Sequence, residues 1–208
     1  ATLSDLGLST TMTRYLSSSK TDIQRKSNFQ FLLKAKILMV FLVAILLFVF
    51  SKAISSMYKT SDISFLLKIG AVYLIFTSLY TMFGAIFLAY QKVRYATFMD
   101  TVFQVSRVLV VGAFLLAYKD ISLVFVGLTL AAIFTFVSGL VISIIKYPFL
   151  FKGEIQKVER KRMLNFSGFI LLGSLGIMIF ANIDKLILGY FVQPEFLGYY
   201  TVILTLLK

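Results

Sequence analysis

An all-α bundle of membrane-spanning helices is the fold class this sequence predicts, and three observations predict it. Of its 208 residues, 59% are hydrophobic and 14% charged, where soluble domains carry roughly a quarter charged. The apolar residues gather in five runs, each at or above the ~20 residues that cross ~30 Å of hydrocarbon as a helix. The charges gather between those runs, so the net charge of +12 reads as loop topology and not as a nucleic-acid surface. Helix is the required element, because backbone exposed to lipid must satisfy its own hydrogen bonds.

Several chemistries drop out at once. With no Cys and no His, there are no disulfides, thiol nucleophiles, imidazole metal ligands or Ser-His pairs. No G-x-x-x-x-G-K-[ST] phosphate loop occurs, so no nucleotide hydrolysis and no cofactor are implied. The chain opens on Ala1 without a signal-peptide pattern and closes in the apolar run "YYTVILTLLK". It therefore reads as a piece of a longer membrane protein.

The opening stretch "ATLSDLGLSTTMTRYLSS" reads as the end of a span, with Arg14 seven residues beyond Gly7. On the residues alone, Arg14 is an interfacial anchor. Five complete spans follow at about 30–50, 65–90, 96–118, 122–145 and 166–191, and a partial one begins after Gly198. Successive loops must alternate sides. One side receives six basic residues from Arg14 to Lys36, two from Lys92 and Arg94, and six from Lys146 to Arg162. The other receives Lys52, Lys59, Lys68 and Lys119. The positive-inside rule places the first set, with loops at 19–29, 91–95 and 146–165, in the cytoplasm, and the chain in the cytoplasmic membrane.

Lys34, Lys36 and Lys68 lie just inside span ends and are expected to snorkel outward. Tyr90, Tyr95 and Tyr147 at the inner boundary, with Tyr58, Tyr118 and Tyr190 at the outer, make an aromatic belt without Trp. In "KYPFLFKGEIQKVERKRM", Phe151, Ile155 and Val158 share a helical face. The segment is either a short interfacial helix on anionic lipid or a solvated linker. Either way, 146–165 divides the chain into units 1–145 and 166–208.

Charges also stand inside the spans. Thr97, Asp100, Thr101, Gln104 and Arg107 follow one helical stripe. Arg107 is the twelfth residue of a 23-residue span, close to the bilayer midplane, where an Arg costs ~2.5–3.5 kcal/mol on insertion scales. The stripe is therefore expected to face a bundle interior or a wet cavity. A structural Asp100–Arg107 pair is the alternative, although seven residues span roughly 10 Å and Gln104 or another helix would have to bridge them. Asp184 and Lys185 break the last complete span. Asp184 needs a partner on another helix or in water, while Lys185 snorkels. Gly168, Gly173 and Gly176 allow close helix packing or local unwinding.

The stretch "FSGFILLGSLGIMIFANIDKLILGYFVQPEFLGYY" carries Ile183, Asp184, Lys185, Gly189, Glu195, Gly198 and Tyr200. It resembles the seventh helix and following loop of the polysaccharide-type lipid-linked oligosaccharide flippases, of the multidrug/oligosaccharidyl-lipid/polysaccharide exporter superfamily. "DLGLSTTMTRYLSS", with Gly7, Arg14 and Tyr15, resembles the end of that family's second helix. "AYQKVRYATFMDTV", with Gln91 and Arg94, resembles its fourth-to-fifth helix corner. The chain would thus hold helices two to eight.

The resemblance implies a MATE-like fold of two six-helix lobes, truncated at both ends, that opens alternately to each side. It implies a transporter, not an enzyme, whose substrate is a polyprenyl-pyrophosphate-linked oligosaccharide. Arg107, Gln104, Asp100 and Arg14 become the substrate-binding candidates. Asp184 and Lys185 become coupling or gating candidates, with H+ or Na+ as the coupling ion. Membrane lipids are the other implied partner; nucleic acid is not. Two rivals stand beside this reading. One is a cation-coupled multidrug antiporter of the same superfamily; the other is a non-transport subunit of a membrane polysaccharide synthase.

Overall fold

The computed structural model describes residues 5, 7–57, 62–118, 121–151, 156, 158–191 and 194–206. Seven α-helices account for nearly all of them: α1 (Leu8–Ser18), α2 (Asp22–Met57), α3 (Asp62–Ala89), α4 (Val93–Tyr118), α5 (Ile121–Lys146), α6 (Arg160–Phe191) and α7 (Pro194–Leu206). A 3-10 turn, Pro148–Leu150, follows α5. No strand occurs among the described residues. Helices α2 to α6 are each long and apolar enough to cross a membrane, and they match the five expected spans. The protein is a multi-pass membrane bundle.

Helix α3 is the hub, packed by α1, α2, α4 and α5, while α6 packs on α1 and α7. Half of the apolar window of α3 is buried, against 6% in α4 and in α6. Phe180 at 87% and Leu116 at 86% exposure would be a liability in water, but they are ordinary in lipid. The best-buried cluster lies at the basic end, where Phe29, Leu32, Ile86, Phe87, Met99, Leu150 and Met163 meet.

The corners are set locally. At the α3–α4 corner, Lys92 N donates to Phe87 O at 2.8 Å and Gln91 N to Leu88 O at 2.9 Å. Gln91 takes φ 56, the left-handed geometry that closes a helix with this paired bond pattern. At the α1–α2 corner, Asn28 Nδ2 donates to Ser19 Oγ at 3.0 Å, and Ser19 Oγ donates to Tyr15 O at 2.5 Å.

Four expectations change. First, the loops at the basic end are shorter than 19–29, 91–95 and 146–165, because α2 starts at Asp22, α4 at Val93 and α6 at Arg160. The 36 residues of α2 span about 54 Å, so its charged first turns continue the helix beyond the apolar run. Second, Phe151 is in a turn, and Gln156, Val158 and Glu159 are not helical, so the described residues between 151 and 159 form no interfacial helix. Leu150 is fully buried, and Phe151 meets the Phe29 ring edge-on at 5.3 Å. Gln156 N donates to Ser27 Oγ at 2.8 Å, so the segment folds back onto α2.

Third, the inner tyrosines form a packed cluster more than a belt. Tyr90 stacks on Tyr147 at 4.3 Å, and Tyr95 lies 5.6 Å from Phe87. Burial, with Tyr95 nearby, holds the Tyr147 phenol above its ordinary pKa. Fourth, a Cβ at Gly168, Gly173 or Gly176 would meet open space, and α6 is unbroken across all three. They pack closely against nothing among the described residues and do not unwind the helix. Tyr58, Lys59, Lys119, Lys152, Ile155 and Lys157, with the side chains of Tyr118 and Tyr190, lie outside the described residues.

The glycine that matters is Gly7, the N-cap of α1, at φ 67. A Cβ there would stand 2.6 Å from Ile170 Cβ and 2.9 Å from Ser167 O. This is where α1 and α6 touch. Gly7→Ala is expected to destabilise the protein by about 2 kcal/mol or more, from left-handed strain and overpacking together. Thermal unfolding in detergent, followed by helical circular dichroism, should show a lower midpoint; an unchanged midpoint would contradict the contact.

Candidate functional site

Helix α1 is short, and its polar residues decide where it sits. Lys36 of α2 is fully buried, and its ammonium donates to Asp5 Oδ1 at 2.5 Å, Ser9 Oγ at 2.7 Å and Thr81 Oγ1 at 3.0 Å. Thr13 Oγ1 donates to Ala85 O at 3.3 Å. The expectation that Lys36 snorkels is therefore wrong. Its place about 10 Å along the helix from Phe29 suits snorkelling or burial equally, and the carboxylate of Asp5 decides for burial. An ammonium in a low-dielectric interior persists only when paired and hydrogen-bonded.

Pinned in this way, α1 forms one wall of a cleft of about 560 Å³ against α3 and α4. Ser9, Thr10, Thr13 and Arg14 line it from α1, Tyr80 and Thr81 from α3, Asp100 from α4 and Phe166 from α6. The Tyr80 hydroxyl donates to Asp100 Oδ1, so this carboxylate has a partner across the cleft wall. The Arg14 guanidinium stacks on Phe166 at 4.2 Å from the ring centroid. Stacking fixes the plane and leaves the N–H edges free for an anion.

Two further cavities open at the basic end, and Arg14 lines both. One, of about 620 Å³, is walled by Tyr15, Phe166, Phe169 and the 159–162 segment. The other, of about 370 Å³, lies between Tyr15, Ser18, Asn28 and Glu159. Arg14 is the residue at which all three meet. Its exposure at the basic end still suits an interfacial anchor, and the junction adds a central position.

The other expected site residues are placed as follows. Thr97, Asp100, Thr101, Gln104 and Arg107 are all exposed along α4. Phe98, Val105, Leu109 and Leu116 form an exposed apolar stripe about 120° around the helix, but Val108 and Leu115 are exposed on the polar stripe's own face, so the expectation that this stripe faces a bundle interior or a wet cavity is not met among the described residues. Gln104 and Arg107 lie one and two turns beyond Asp100 and do not line the cleft itself. No ion pair joins Asp100 to Arg107; the described pairs are Arg25–Asp22, Lys36–Asp5 and Arg162–Glu159. Arg107 has no hydrogen-bond partner among the described residues. Asp184 is half-buried and accepts from the Tyr200 hydroxyl of α7 at 2.7 Å. Its partner is thus on another helix, and Lys185 is half-buried beside it.

Asp5, Ser9, Tyr80 and Thr81 were not singled out in the sequence. The available signal was the i, i+4 spacing of Ser9 and Thr13 on one face of α1, with Asp5 just ahead of its Gly7 cap. No metal-ligating cluster of three or more acidic residues occurs among the described residues.

A model of the polysaccharide biosynthesis protein family matches residues 1–208, the whole chain. The chain belongs to that family. No curated protein and no solved structure matches it. Membership ties this polysaccharide biosynthesis protein to the making or export of polysaccharide, and its five spans set that role within a membrane.

Proposed function

We propose that this polysaccharide biosynthesis protein is a transporter, not an enzyme. It would carry a polyprenyl-pyrophosphate-linked oligosaccharide across the cytoplasmic membrane by alternating access. One observation carries the reading: the Arg14 guanidinium, stacked on Phe166 and in no ion pair among the described residues, stands where a membrane cleft meets two cavities at the basic end. A pyrophosphate is the anion that paired guanidinium bonds suit.

In this reading the basic end is cytoplasmic, and the pyrophosphate enters there and pairs with Arg14. Gln104 and Arg107 continue the path along α4, while Asp100 is held back by Tyr80. The lipid tail stays in the bilayer. Residues 1–145 and 166–208 belong to separate lobes that rock about the 146–165 connector. Asp184 and Lys185 gate or couple the motion, with H+ or Na+ as the coupled ion, and the Tyr200 bond is a contact to be made or broken. An inside-negative potential favours outward passage of an anion by ~2.3 kcal/mol per charge per 100 mV.

Arg107→Ala in the intact protein should reduce surface glycan in cells at unchanged protein level. Wild-type glycan from that variant would remove Arg107 from the path.

A further inference from the structure

A further groove lies on the far side of α4 from the cleft. Arg94, Tyr95 and Phe98 of α4 face Ile142, Ile145 and Lys146 of α5 around a cavity of about 380 Å³. Phe98 and Asp100 are two residues apart, so they point about 160° apart on the helix, and the groove shares no wall residue with the cleft.

Packing fixes the walls. One turn deeper, Gly139 lets α5 close on its neighbours: a Cβ there would stand 2.9 Å from Phe83 Cδ2 of α3 and closer still to the tip of Met99 of α4. Tyr95 leans on the fully buried Phe87 ring at 5.6 Å, and the Lys146 ammonium stands over the Tyr95 ring at 5.4 Å.

The chemistry divides by depth. Arg94, in the first turn of α4, and Lys146, in the last turn of α5, are exposed, and neither belongs to an ion pair of the described residues. The Tyr95 hydroxyl has no hydrogen-bond partner among the described residues. No carboxylate lines the groove. Away from the basic end its lining is apolar and runs into two exposed rows, Phe98, Val105 and Leu109 on α4 and Ile145, Val141 and Phe134 on α5. A cation in a last helical turn suits the helix dipole, which accounts for Lys146 alone and leaves Arg94 and the groove unexplained.

We infer that this groove binds an anionic phospholipid of the bilayer. Its phosphate sits between Arg94 and Lys146, the Tyr95 hydroxyl donates to it, and one acyl chain lies along Phe98 and Ile145. Basic pockets between spans suit such head groups. A soluble anion would leave the apolar wall bare, and a lipid without net charge would answer only one of the two cations. A glycan would find no carboxamide or carboxylate here, so the lipid is a fixture and not cargo. It ties α4 to α5 where Tyr95 and Tyr147 both pack on Phe87, and so braces the turn that leads from α5 into the connector. The inference does not depend on the transport reading.

The chain has no Trp, so one introduced Trp reports on one place. Phe98→Trp and Ile145→Trp stand on the two walls; Phe180→Trp, at 87% exposure on α6, is the remote reference. Each variant of the intact protein is reconstituted in phosphatidylcholine vesicles carrying brominated phosphatidylglycerol or brominated phosphatidylcholine, and fluorescence quenching gives the relative affinity at that Trp. Phosphatidylglycerol should be favoured about tenfold at both walls, since two cations each contribute severalfold, and less than about twofold at Phe180→Trp. Adding R94Q/K146Q should bring the ratio at Phe98→Trp to within about twofold of one. Both cations are exposed, so that variant should fold. Excess glycerophosphate in the buffer should leave the quenching unchanged.

No preference at either wall would overturn the proposal. An equal preference at Phe180→Trp would show only the general attraction of a chain with net charge +12. An undiminished preference in R94Q/K146Q would put the lipid elsewhere, and displacement by glycerophosphate would show a plain anion site. Each of these defeats the phospholipid groove and leaves transport to be read separately by surface glycan.

Discussion

Arg14→Ala should cut surface glycan by about tenfold or more, with protein level and thermal stability nearly unchanged. The guanidinium is exposed, and its described contact is the Phe166 ring, so folding loses only ~0.5–1 kcal/mol of cation–π attraction. An anion in the cleft would lose paired charge-assisted bonds worth ~1.5–3 kcal/mol each, and each 1.4 kcal/mol is a factor of about ten. Arg14→Lys keeps the charge without the planar fork, so it should restore only part of the loss. A purely structural Arg14 would behave differently: both variants would lower the melting midpoint, and glycan would follow protein level.

The second large effect is on stability. Asp5→Ala leaves the Lys36 ammonium buried with only the Ser9 and Thr81 hydroxyls. Removing one partner of a buried pair costs ~3–5 kcal/mol, and the 21% exposure of the Asp5 side chain points to the lower end, about 3 kcal/mol. Asp5→Ala combined with Lys36→Met removes both charges and fills the volume of the lysine stem, so most of that loss should return. Melting midpoints in detergent for the wild type, Asp5→Ala and the double variant check this. A double variant less stable than Asp5→Ala would mean that Lys36 is held by something other than Asp5.

This pair also shows where reading the sequence stops. Five apolar runs sufficed for the five spans, because length and hydropathy alone decide what can cross a bilayer. Their ends moved because Asp22 and Gln24, both exposed, are compatible with a helix that continues into water, and hydropathy does not register that. Arg107 and Asp184 stood out because a charge inside an apolar run is costly wherever it faces. Lys36 did not, because a lysine near a span end has two inexpensive outcomes. Choosing between them takes a partner 31 residues away, just ahead of a helix whose position depends on the whole bundle. Arg14 was visible as a residue but not as a junction, since the cavities that meet there need α6 laid beside α1. Phe151 and Leu150 turned inward for a similar reason: the surface they cover belongs to α2, more than a hundred residues earlier.

The lack of cysteine gives a clean background for the most direct test of the central claim, that the face carrying Arg14 is a hydrated chamber. Thr10 is exposed and lines the cleft, whereas Leu109 is 66% exposed on the apolar stripe of α4. In membranes, Thr10→Cys should react readily with a charged maleimide and Leu109→Cys should not, because only a thiol in water ionises and meets the reagent. Equal silence at both positions, or reaction at Leu109→Cys alone, would mean that lipid fills the cleft and would contradict the account.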